Sequence, residues 1–169
     1  IYCLSDGCED LEYLNLKYVW EVKTIDNENY FISHKGGFSR YNSKTKELVL
    51  LSEDITAYTF SIGSSNEIFY FSSSKRGINQ FFIKENKIIN LVDENSIFGG
   101  LGTYALRSHY NNGVIYIGTI NGLYSYNLIS NSEYLYEETK SLNINDVVSS
   151  NKGLWVSIQS KGLYFLNFS

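Results

Sequence analysis

Short apolar runs, polar links and recurring glycines alternate along the chain. From Asn112 to Asn127, NGVIYIGTINGLYSYN, a glycine is followed by four or five apolar or β-branched residues. A short polar link then leads to Gly122-Leu123-Tyr124 and a second apolar run ending in Asn. The same order returns from Lys152 to Asn167 as KGLWVSIQSKGLYFLN. Runs this short, rich in Val, Ile, Tyr and Trp, predict β-strands rather than helices, and the glycine before each second run suits a tight turn.

Two weaker copies share this register, YFISHKGGFSRYN at residues 30–42 and IFYFSSSKRGINQFF at residues 68–82. The turn glycines Gly37, Gly77, Gly122 and Gly162 are separated by 40, 45 and 40 residues, and Tyr41, Phe81, Tyr126 and Leu166 keep the same spacing four residues further on. A fixed period of this length indicates a repeat fold. Helical arrays of that period need long amphipathic runs, which the sequence lacks. The expected fold is therefore all-β, a β-propeller fragment of four-stranded antiparallel blades with 40–45 residues per blade.

The expected boundaries are the end of a blade at 1–16, complete blades at 17–52, 53–92 and 103–137, and an incomplete blade at 142–169 that lacks its outer strand. The link DENSIFGGLG at 93–102, with Ile97 and Phe98 among its glycines, is expected to be a functional loop. A start at Ile-Tyr-Cys-Leu suggests a piece of a longer polypeptide. An arc of blades would leave apolar faces exposed at both ends, so neighbouring blades of a parent chain are expected to cover them; a compact four-bladed ring is the alternative.

Gly113, Ile115, Ile117, Gly118, Thr119, Gly122, Leu123, Tyr126 and Asn127 resemble the two-component regulator propeller repeat, G-x-L-W-[IV]-[GS]-T-x-x-G-L-x-x-[YL]-[DN]. Gly153, Leu154, Trp155, Val156, Gly162, Leu163 and Asn167 resemble it too, with one extra residue in the link and Ser157 in place of Gly. This family forms the periplasmic sensor regions of hybrid histidine kinases of Bacteroidetes. The resemblance implies a periplasmic, non-catalytic module without cofactor that detects a glycan or oligosaccharide and signals through a kinase elsewhere in the parent chain. It also implies a homodimer of the parent sensor as a partner arrangement.

Composition narrows the chemistry. With a net charge of -4 the chain is not expected to bind nucleic acid. No apolar run is long enough to span a membrane as a helix. Cys3 and Cys8 could close a small disulfide turn in an oxidising compartment or remain as two buried thiols. The nearby acidic residues Asp6, Glu9, Asp10 and Glu12 lack the spacing of a calcium loop. His34 and His109 lie outside any zinc motif, and SSNKGLW at 149–155 departs from the sialidase turn by lacking its Asp. A propeller lyase or glycosidase is thus the weakest reading, behind a structural or protein-binding propeller.

The register groups candidate ligand positions. His34 and Lys35, Lys75 and Arg76, Asn121, and Lys161 fall in successive links between second and third strands, which share one rim. Cations there could engage an anionic glycan or other anionic small ligand, although lysine is also an ordinary turn residue. Arg107 and His109 share one face of an expected inner strand, directed either at a central channel or at structural hydrogen bonds. Trp20 and Trp155 are expected to pack in the interior rather than stack on sugars.

Overall fold

A computed structural model describes residues 14–55, 57–65, 67–72, 77–92, 96–97 and 105–168. The expectations for Cys3 and Cys8, for Lys75 and Arg76, for the strands before residue 14, and for most of the 93–102 link lie outside these residues.

Four antiparallel sheets follow one another along the chain. The first contains β1 (Val19–Thr24), β2 (Asn29–His34), β3 (Gly37–Asn42) and β4 (Glu47–Ser52). β5 (Ala57–Ile62), β6 (Ile68–Ser72), β7 (Ile78–Phe82) and β8 (Lys87–Asn90) form the second. The third has β9 (Ala105–Asn111), β10 (Val114–Thr119), β11 (Gly122–Asn127) and β12 (Ser132–Leu135). The last has three strands, β13 (Ile144–Ser150), β14 (Gly153–Ile158) and β15 (Gly162–Asn167). Within each sheet, neighbours in sequence are neighbours in space, the up-and-down order of propeller blades.

Local chemistry explains the repeated turns. Gly37, Gly77, Gly122 and Gly162 all have positive φ, between 90° and 132°, at the start of the third strand of their sheets. A side chain at Gly37 would have its Cβ 2.2 Å from the Ser52 carbonyl oxygen, so glycine is required there sterically as well as conformationally. The Asn that closes the third strand also has a reason. The Oδ1 of Asn127 accepts hydrogen bonds from the backbone N–H groups of Ile129 and Ser130, at 2.8 and 3.1 Å, and that of Asn42 accepts from Lys44 and Thr45. Each Asn therefore folds the following turn onto itself.

Alternate residues on each strand face adjacent sheets, and three apolar clusters form between successive sheets. Phe31 and Phe38 of the first sheet pack with Phe60, Ile68 and Phe81 of the second. Phe69 and Ile78 of the second pack with Ile115 and Tyr126 of the third. Tyr116 and Leu123 of the third pack with Ile144, Leu154 and Val156 of the fourth. Gly118 belongs to this last seam, because a Cβ there would lie 2.8 Å from Ile144 Cγ2.

An element not foreseen is a 3₁₀ turn, Glu137–Thr139, after β12. Buried Thr139 accepts a 2.8 Å hydrogen bond from the Leu123 N–H and donates from the same hydroxyl to the Tyr136 carbonyl at 2.6 Å. The turn thereby ties the chain after β12 back to β11 beside Gly122.

Candidate functional site at the inner strands

The first strand of every sheet lies on the inside, β1 packing on β5, β5 on β9, and β9 on β13. Each carries a register shift near its start, leaving Trp20, Tyr58, Leu106 and Asn145 without a cross-strand partner in the ladder. A bulge recurring at matching positions bends each inner strand and re-aims side chains near that end. Trp20 accordingly meets exposed Tyr58 edge-on, with ring centroids 5.1 Å apart. Trp20 is half-buried, and its packing partner is this bulge residue of the next sheet.

Beyond the bulges the inner strands present polar residues to one another. Lys23 reaches from β1 across two sheets, donating to the carbonyl oxygens of Phe60 and of Ser108, the latter at 2.9 Å. Its ammonium lies 3.4 Å from Glu21 and over the Phe60 ring at 5.4 Å. The other Glu21 oxygen accepts the Phe60 N–H at 2.7 Å. Thr59 Oγ1 accepts from the Ser108 N–H at 2.9 Å, tying β5 to β9. Burial lowers the Lys23 pKa, opposed by the carboxylate of Glu21.

His109 joins this seam to the last sheet through a 2.8 Å contact between Nε2 and Ser149 Oγ. Its pKa is lowered first by burial and then by the charge of Lys23, with Asp146 opposing. Arg107 is exposed and donates to the carbonyl of its neighbour Leu106 at 3.0 Å. At the strand end away from the bulges, Lys23, Thr24, Ser61, Ile62, His109 and Tyr110 line a cavity of about 260 Å³. Ser61 is 2% exposed, and its hydroxyl has no hydrogen-bond partner.

The described rim residues His34, Lys35, Asn121 and Lys161 lie at the other end of the inner strands, where β1 pairs Val19 with His34. The structure does not bring them together with His109. His34 is buried, with the Gly36 N–H donating to Nδ1 at 3.1 Å. That assigns the ring proton to Nε2, which donates to Ser39 Oγ at 2.9 Å. Both ring nitrogens thus serve the turn, and burial lowers the pKa of His34. Lys35 lies over the Tyr18 ring at 5.0 Å. Asn121 is exposed, and its backbone carbonyl accepts from the Ser141 N–H at 3.0 Å. Lys161 borders a separate cavity of about 230 Å³ with Glu138, Val156, Tyr164 and Leu166. Sequence reading missed Lys23 and Ser61, which carry no motif and acquire meaning only when three inner strands converge.

No family model and no curated protein sequence matches the chain. Solved structures do match. The extracellular domain of BT4673 from B. thetaiotaomicron, assigned to a one component or hybrid two component system, has a TM-score of 0.67 at 15% identity over 88% of this chain and 21% of that one. The extracellular domain of BT3049 from the same organism, assigned to a hybrid two component system, has a TM-score of 0.61 at 14% identity over 97% of this chain and 29% of that one. The computationally designed Ika4 protein has a TM-score of 0.66 at 6% identity, covering 95% of this chain and 96% of its own. This chain thus spans about a fifth of the length of the BT4673 domain. At such low identities the likeness establishes the fold: successive four-stranded blades like those in the extracellular domains of bacterial sensor systems.

Proposed function

We propose that this chain is a ligand-sensing part of the extracytoplasmic region of a hybrid two-component sensor, located in the periplasm, and that it performs no chemistry of its own. Its ligand is a glycan or a related small molecule, and further blades of the parent chain pack against its ends. The carrying observation is the cavity at the inner strands, where polar groups from three sheets converge on one concave site. A ligand held there touches several blades at once, so its binding energy can depend on how the blades are arranged. Only such a difference in affinity between two arrangements can drive a signal.

The competing reading places the ligand at the rim positions that the repeat register assigns to Lys35, Arg76 and Lys161, and it predicts an acidic ligand. Calorimetric titration of the sensor region with neutral and acidic oligosaccharides tests both. Saturable binding of one saccharide class supports the sensing role. Loss of that binding on combined replacement of Lys35, Arg76 and Lys161 by Ala would move the ligand to the rim. Absence of any saccharide binding would favour a structural or protein-binding propeller, a reading supported by the exposed apolar face of the last sheet.

A further inference from the structure

The cavity at the ends of β1, β5 and β9 has a chemical character that selects among ligands. Lys23 supplies no free positive charge to it: Glu21 faces the ammonium at 3.4 Å, and two backbone carbonyls accept its protons. Arg107 is directed to its own strand, and burial keeps His109 toward its neutral form. Thr24 Oγ1 is engaged with the carbonyls of Asp26 and Asn29. Tyr110 is held by stacking on Phe69, with centroids 5.5 Å apart. What the wall retains is the Ser61 hydroxyl, buried without a partner. An unmet buried hydroxyl costs about 1–3 kcal/mol and is unusual enough to require an explanation. Ser61 lines the cavity, and turning its χ1 breaks no hydrogen bond in the free protein.

We propose that this cavity receives one ring of a neutral, polyhydroxylated saccharide, with Ser61 exchanging a hydrogen bond with a ring hydroxyl and His109 alongside. An anionic ligand would find no uncompensated cation there, whereas a polyol can both donate to and accept from Ser61. The assignment rests on the ligand-sensing role and sharpens it.

Ser33 provides an internal control. It too is buried, with an unpartnered hydroxyl, but it lies on β2 and does not line the cavity. The experiment titrates the wild-type protein, Ser61→Ala and Ser33→Ala with a panel of neutral and acidic mono- and oligosaccharides, using calorimetry and following the histidine ring signals by NMR. Neither substitution removes a hydrogen bond within the protein, so both variants should melt at or above the wild-type temperature. The expected result is a neutral saccharide bound at least tenfold more weakly by Ser61→Ala and unchanged by Ser33→Ala, with His109 signals shifting and His34 signals still. Saccharide binding that leaves Ser61→Ala and the His109 signals unaffected would overturn the cavity assignment while leaving the sensing role intact. Binding of acidic saccharides alone would overturn the neutral class. Failure of the wild-type protein to bind any member of the panel would overturn both.

Discussion

The third and fourth sheets carry the same sequence motif, yet bury it differently. Leu123 follows its turn glycine with no exposure at all, while Leu163, at the same point of the next repeat, is 66% exposed. Phe38 and Ile78, at that point in the first and second sheets, are fully buried as well. Tyr116 and Trp155 differ likewise, at 6% and 45%. On the fourth sheet Val148, Trp155 and Phe165 lie in one cross-strand row, and all three are exposed. The distinction has one cause: β13 and β14 cover the third sheet, whereas among the described residues no sheet covers the fourth. The motif therefore encodes a surface for receiving the following blade as much as it encodes a blade. An exposed row of this kind fits the further blade proposed above.

The first way to break this comparison is truncation at matching positions. Leu123→Ala should lower unfolding stability in urea by about 3 kcal/mol through loss of buried contacts and a residual cavity. Leu163→Ala should change it by less than about 0.5 kcal/mol, as for an ordinary surface site. Similar losses at both positions would mean that β15 is covered.

The turn glycines sharpen the contrast with a smaller effect. A Cβ at Gly122, where φ is 132°, would stand 3.1 Å from the Thr139 carbonyl oxygen, whereas at Gly162, where φ is 100°, it would meet nothing within 4 Å. Gly122→Ala should cost about 2 kcal/mol, combining strain and crowding. Gly162→Ala should cost about 1 kcal/mol, from strain alone. Thermal melts of the two variants give the order.

The smallest effect concerns the seam that joins these two sheets, where His109 meets Ser149. The pKa of His109 is lowered from its ordinary 6.5, first by burial, and burial lowers that of His34 as well. The unfolded chain consequently binds more protons than the folded one below pH 6.5. Stability should be fully present above that pH and decline as pH falls toward the lowered folded values. Replacing both histidines by Gln should flatten this acid-side slope in denaturant titrations between pH 7.5 and 5.5. An unchanged slope would assign it to other groups.

Much of the fold was legible because its physical causes are local. Positive φ demands glycine at 37, 77, 122 and 162, and side-chain capping of the next turn favours Asn at 42 and 127. Strand patterning supplied the rest of the four-beat order. The inner-strand bulges were not legible, because Trp20, Tyr58, Leu106 and Asn145 share no chemistry that would mark them. Trp155 was expected inside on the strength of its motif position, but burial there depends on a neighbouring sheet and not on the strand that bears it. His34 could be recognised as a candidate but not as a turn lock, since its Ser39 partner lies across a hairpin. The cavity was half visible: His109 stood out by type, whereas Lys23 and Ser61 depend on contacts between residues tens of positions apart.

Hydroxyl-radical footprinting of residues 1–169 on their own, without further blades, read residue by residue by mass spectrometry, tests the shared register and its unequal burial in one measurement. Leu163, Trp155 and Phe165 should label at rates typical of exposed side chains, with Leu123, Phe38 and Ile78 protected at least tenfold. Equal labelling of Leu123 and Leu163 would contradict the account, because repeated sheets that cover one another in sequence cannot leave those two positions alike.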